Sequence, residues 1–157
     1  MKLPENTLTL GWREWVTLPQ LGIPQIKAKV DTGARTSALH AFSVRVFQEG
    51  DKERVEFMLH PIQKDNETVV TCVADILDRR TVTDSGGHKE ERFVISTELA
   101  IGKHSWPIEV TLTARDDMLF RMLIGRTAIK NIAQVDPARS YLVGKKKRIQ
   151  ETTDEKI

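Results

Sequence analysis

The residues best placed to do chemistry are Asp31-Thr32-Gly33, at the end of the run Ile26-Lys27-Ala28-Lys29-Val30. Apolar residues alternate there with lysines, the period of a half-buried strand. A lone carboxylate at the end of a buried strand is costly. It becomes workable where a second carboxylate shares its proton. Two carboxyl groups held close cannot both ionise easily, so one pKa falls, the other rises, and the pair titrates as a unit. In the singly protonated pair, one member takes a proton from water while the other donates to a substrate carbonyl. The following residues suit that use. Thr32 can hydrogen-bond across a two-fold axis, Gly33 lets the backbone approach substrate, and Ala34 leaves room. The tripeptide also serves as an ordinary turn, so it does not decide the matter alone.

A second element bears on the choice. Met122-Leu123-Ile124-Gly125-Arg126-Thr127-Ala128-Ile129 reads as an apolar strand running into Gly-Arg and a short helix. The elements between the two motifs are mostly β. Strands are expected at Ser43–Phe47, Arg54–Leu59 and Val69–Leu77. Arg80–Thr83 and Glu91–Ile95 read as a hairpin around Asp84-Ser85-Gly86-Gly87. Glu98–Ile101 and Trp106–Leu112 read as another, around Gly102-Lys103. Met118–Ile124 reads as a buried strand, and Thr127–Ala133 is the best helix candidate. Short strands at regular spacing predict an all-β barrel or sandwich.

Composition sets the frame. The chain has 157 residues, 39% hydrophobic and 29% charged, with a formal net charge of +2. That fits one globular domain and argues against disorder, and the charge is too small to indicate nucleic acid. A single cysteine, Cys72, excludes a disulfide framework within the chain and suits a reducing cytoplasm. It sits in an apolar strand and reads as a core residue. No apolar run approaches a membrane span, and the N-terminus has no signal-peptide pattern. Residues 1–144 are expected to form one domain, and 145–157 a polar, flexible tail. The tail's cluster Lys145-Lys146-Lys147-Arg148 reads as a solvated terminus or as a contact for RNA or an acidic protein. Trp12, Trp15 and Trp106 read as packing residues.

Taken together, the apolar strand with Asp-Thr-Gly-Ala and the later Leu-Ile-Gly-Arg with a helix resemble a retropepsin, the single-domain aspartic protease of retroviral type. Glu14-Trp15-Val16, Leu18-Pro19, Leu21-Gly22-Ile23, the run Ala28–Ala41 and Trp106-Pro107-Ile108-Glu109 resemble more closely a bacterial retropepsin-like family. That family has carried the label "ATP-dependent zinc protease", and some members resemble partners of RimK-type ligases that add glutamates to a ribosomal protein. The resemblance implies a closed acid-protease barrel with one short helix. It also implies that Ile124, Gly125 and Arg126 form a structural motif crossing beneath the catalytic loop.

The residues do not support the zinc or ATP label. His40, His60, His88 and His104 are scattered and read as surface residues. His88-Lys89-Glu90-Glu91 only imitates the opening of a zinc-protease motif, and no phosphate-binding loop is present. The expected chemistry therefore uses no metal and no cofactor. Where retroviral enzymes carry two acidic residues after Asp-Thr-Gly-Ala, this chain has Arg35 and Thr36. Arg126 thereby loses its acidic partner, leaving Asp116, Asp117 or Asp136 as alternatives. Arg35 brings a cation near the cleft, which favours carboxylate side chains and suggests a glutamate-rich substrate; a solvated surface arginine is the alternative. Gly86 and Gly87 are candidate flap residues that contact substrate, or the tip of a plain hairpin. One Asp-Thr-Gly supplies one aspartate, so the simplest completion is a homodimer with Asp31 from each copy. Asp84-Ser85-Gly86 is a weaker second signature, lacking a buried strand before it. The expected activity is hydrolysis of a peptide or isopeptide-like bond. The alternative is a non-catalytic module on the same barrel that binds an acidic tail or partners a glutamate ligase or ribosomal protein.

Overall fold

The computed structural model describes residues 7–83, 86–114 and 118–146. Asp84, Ser85, Asp116, Asp117 and the tail from residue 147 lie outside the described residues. The strands are β1 (Leu8–Gly11), β2 (Arg13–Leu18), β3 (Ile23–Val30), β4 (Ser37–His40), β5 (Ser43–Glu49), β6 (Lys52–Leu59), β7 (Val70–Asp75), β8 (Asp78–Thr83), β9 (Lys89–Ile101), β10 (His104–Thr113) and β11 (Met122–Ile124). A one-turn helix, α1 (Arg126–Ile129), and β12 (Ala133–Asp136) follow.

The fold is mostly β. The main sheet runs β10-β4-β11-β3-β2-β9-β8, and β9 pairs with β10 as well, so six strands curl into a near-closed ring with β8 attached to β9. Ile26, Ala28 and Val30 of β3 face inward while Lys29 is exposed, as the alternation requires. They meet Leu39, Leu99, Val110, Leu112, Met122 and Ile124 in one core. A separate three-stranded sheet, β5-β6-β7, adds Val55, Phe57, Leu59 and Cys72 to that core. Burial pushes the Cys72 thiol up to about 12, which suits packing and not nucleophilic use. No helix among the described residues is long and apolar enough to cross a membrane.

Several expectations are corrected. The two hairpins share one long strand, because β9 runs unbroken through 13 residues and pairs with β8 at one end and β10 at the other. The strand expected from Met118 is confined to Met122–Ile124, and Leu119 is 52% exposed. The helix ends at Ile129 and not Ala133: Lys130 already leaves the helical region (φ −57°, ψ 127°), and Asn131 follows in a left-handed conformation (φ 65°). His40 and His60 are buried, not surface residues: His40 Nδ1 lies 2.6 Å from Thr113 Oγ1, and His60 stacks on Phe42.

The ring is thinnest between β2 and β9, where Thr17 and Ala100 form a single residue pair. Glu14 holds a strap across this region. Its buried carboxylate accepts backbone N–H groups from Gly11 (2.6 Å), Leu142 (2.9 Å), Val143 (3.1 Å) and Gly144 (2.7 Å). Trp15 N–H in turn donates to the Gly144 carbonyl at 3.0 Å. Four donors around one carboxylate offset the cost of burying its charge. Glu14→Ala would leave these amides without their acceptor. The expected loss is about 3 kcal/mol or more of unfolding free energy in chemical denaturation; a loss under about 1 kcal/mol would contradict this role.

Candidate active site

Asp31 lies where β3 ends, half-buried, with Thr32 and Gly33 exposed beside it. The loop turns on the aspartate itself. Its Oδ1 accepts the Gly33 N–H at 3.0 Å, and its carbonyl accepts the Ala34 N–H at 3.1 Å. This Asx-type turn holds the half-buried carboxyl group at the end of β3.

The second motif lies directly against this loop. Ile124 accepts the Asp31 N–H at 2.8 Å. Gly125 N–H donates to Ser37 Oγ at 3.0 Å. Three successive loop carbonyls are then taken in order. Gly33 accepts from Arg126 Nη1 (3.2 Å), Ala34 from Arg126 N–H (2.8 Å), and Arg35 from both Thr127 N–H (3.0 Å) and Thr127 Oγ1 (2.8 Å). Arg126 therefore needs no acidic partner to do structural work: its guanidinium clamps loop carbonyls. Asp136, one expected partner, is instead 3.6 Å from Arg139. Trp106 Nε1 donates to the Ala128 carbonyl at 2.7 Å and ties the short helix to β10.

Gly125 permits this approach. A Cβ there would meet the Thr36 carbonyl carbon at 2.6 Å and oxygen at 2.8 Å, and Ser37 N at 2.9 Å. All three are backbone atoms in a loop held by other bonds, so relief requires the clamp to open. This requirement was not legible as spacing alone; the glycine was visible, its reason was not.

Arg35 is exposed and lines an open cavity of about 510 Å³ with Thr36, Arg80, Ser96, Glu109 and Thr127. Arg80 reaches in from β8. Its Nη2 donates to Glu109 at 3.0 Å and its Nε to Asp78 at 3.1 Å, and these carboxylates hold its pKa above the ordinary value. The sequence reading missed Arg80, whose place in a hairpin gave no sign that it would stand beside residue 35. Gly86 and Gly87 sit exposed at the tip of the β8–β9 hairpin, Gly87 at φ +86°. From the body of this hairpin, Arg80 lines the same cavity as Arg35 and Thr36. Among the described residues no group of three or more His, Cys, Asp or Glu side chains converges as a metal site would require.

A near-closed β ring, an Asp-Thr-Gly loop at a strand end and an Ile-Gly-Arg strand bonded to that loop define the retropepsin-like class of fold. The chain belongs to the RimB-like family, described as retropepsin-like aspartic endopeptidase RimB, whose profile matches residues 9–146. It is 41% identical over 148 residues to a "probable alpha-L-glutamate ligase" of Shewanella halifaxensis, covering 94% of this chain and 32% of that protein. It is 46% identical over 135 residues to a protein of the same description from Desulfotalea psychrophila, covering 86% and 29%. The chain thus spans about a third of the length of these relatives. The crystal structure of Lpg0085, a Legionella pneumophila protein of unknown function, shares the fold, with a TM-score of 0.71 at 24% identity over 86% of this chain and 97% of that one.

Gly125→Ala is expected to cost about 2 kcal/mol or more in stability. It should also raise amide hydrogen exchange across residues 31–36. Unchanged exchange in that loop would contradict the clamp.

Proposed function

We propose that this chain is half of an aspartic peptidase whose second carboxylate is Asp31 of another copy. The observation that carries this reading is the bonding of residues 33–35 by Arg126 and Thr127, which holds the Asp31 turn rigidly at a solvent-accessible strand end. A carboxylate so fixed can share a proton with a symmetry mate. One of the two takes a proton from water, the water oxygen attacks the substrate carbonyl, and the other protonates that carbonyl's oxygen. Collapse of the tetrahedral intermediate expels the amine with a proton from the dyad. Thr32, exposed beside Asp31, would brace the paired loops. Gly33 and Ala34 would contact the substrate backbone, with Gly86 and Gly87 closing over it. The scheme uses two carboxylates and water, with no metal.

Arg35, exposed on this cavity, favours an acidic substrate, such as a glutamate-rich tail on a ribosomal protein, while Arg80 beside it is already paired with Glu109 and Asp78. A second reading is a non-catalytic module serving a RimK-type glutamate ligase. It is favoured by relatives described as probable ligases, in which the matched region is about a third of the chain.

The test is cleavage of a peptide ending in several glutamates, at acidic to neutral pH, with chelator present. Wild type is expected to cleave it and Asp31→Asn to lose about 10³-fold or more in kcat. Arg35→Ala is expected to raise KM about tenfold for the acidic peptide and leave a neutral one unchanged. Equal cleavage by wild type and Asp31→Asn would remove Asp31 from the chemistry. Cleavage abolished by chelator would overturn the metal-free scheme.

A further inference from the structure

The net charge of +2 conceals an uneven distribution. On β5 to β9 the arginines are neutralised in place. Arg45 pairs with Glu56, Arg54 with Glu49 and Asp75, Arg79 with Glu53, Arg80 with Asp78 and Glu109, and Arg92 with Glu90. The outer face of β2 and β3, with the strap that crosses it, is different. Among the described residues, Arg13, Lys27, Lys29, Lys145 and Lys146 make no ion pair. The side chains that hold two of them are neutral: Arg13 Nε donates to Ser140 Oγ and Lys27 Nζ to Gln63 Oε1, each at 3.1 Å.

Aromatic rings stand among these cations. Antiparallel pairing sets Arg13 opposite Lys29 and Trp15 opposite Lys27, at positions that alternate with the buried Glu14, Val16, Ile26 and Ala28. The strap adds Tyr141, whose N–H donates to the Arg13 carbonyl at 2.9 Å and whose φ of 56° is a left-handed value that bulky side chains rarely take. Arg13 Cζ lies 4.5 Å from the Trp12 ring centre and 5.0 Å from that of Tyr141. Lys27 Nζ lies 5.2 Å from the Trp15 ring centre, and Lys146 Nζ 5.7 Å from it. Trp15 and Tyr141 stack at 6.4 Å. Two of the three tryptophans and the single tyrosine thus share one face, each only half-buried. A cation over a ring is held in place and keeps its full charge.

We infer that this face binds single-stranded RNA. Lys27 and Lys29 stand two residues apart on β3, about 7 Å, and with Arg13, Lys145 and Lys146 they form a cationic surface for a phosphate backbone. The half-exposed rings and the Arg13 guanidinium plane offer stacking surface to unpaired bases. An acidic peptide would use the charge and leave the rings without a partner, which favours RNA as the occupant. No residue of the Asp31 loop or of the cavity beside Arg35 belongs to this face, so RNA binding here is independent of the peptidase reading.

The test is fluorescence anisotropy on the full wild-type chain, across salt concentrations, with a labelled uridine-rich RNA and a labelled glutamate peptide of equal charge. The RNA is expected to bind about tenfold tighter than the peptide at low salt, with log Kd rising against log salt at a slope of about 3. Lys29→Gln, Lys145→Gln and Lys146→Gln together, all at exposed positions, are expected to weaken RNA binding about tenfold and to lower that slope by about 2. Lys89→Gln, Lys103→Gln and Lys130→Gln together remove the same charge from exposed positions elsewhere, and are expected to change Kd by less than about twofold. Unlabelled RNA should also quench tryptophan fluorescence. Absence of RNA binding, or a titration without quenching, would overturn the inference. Peptide binding as tight as RNA binding would assign the face to an acidic protein instead. Equal losses in the two triple variants would reduce the effect to net charge and overturn it as well.

Discussion

The absence of a Cβ at Gly125 sets how closely two distant parts of the chain can approach, and the Asp31 loop depends on that approach. With the Thr36 carbonyl and Ser37 nitrogen within 3 Å of where a Cβ would stand, the second motif lies flat under the loop. At that distance Arg126 and Thr127 can satisfy three consecutive carbonyls of a segment that has no ladder of its own. A loop that would otherwise be a mobile turn becomes a fixed mount for a carboxylate. The parallel pairing of β11 with β3 aligns the two motifs, since Ile124 stands beside Val30, the residue before Asp31.

The ring that presents this mount is held at its weakest seam by another carboxylate. Glu14 differs from Asp31: it is buried and saturated by backbone donors, whereas Asp31 is half-buried and spends one oxygen on its own turn. The strap it gathers passes so close to β2 that a Cβ on Gly144 would fall on the Trp15 carbonyl. Glu14 on β2 and Asp31 just past the end of β3 are thus given different surroundings, one enclosed by backbone donors and the other half-buried.

Much of the Asp31 end of the fold was legible in the sequence, because its signals are local. The alternation in β3, the Asp-Thr-Gly turn and the apolar run into Gly-Arg can each be read within a few residues. What was not legible depends on partners far along the chain. Ser37–His40 is buried at every position, so it shows no alternation, and its place between β10 and β11 comes only from tertiary packing. The parallel β1–β12 pair joins residues near opposite ends of the chain. Glu14 was visible as a family mark, but its task depends on residues 142–144. Arg126 looked stranded without an acid because the expectation was an ion pair, whereas backbone carbonyls suffice as acceptors.

The most direct measurement of the central claim, that two Asp31 carboxylates share one site, is the activity of mixtures of wild type and Asp31→Asn after subunit exchange. A shared site predicts that adding an equal amount of mutant lowers activity per wild-type chain by about half, as mixed pairs lose their dyad. Activity that stays strictly proportional to the wild-type chains, whatever the amount of mutant, would contradict it.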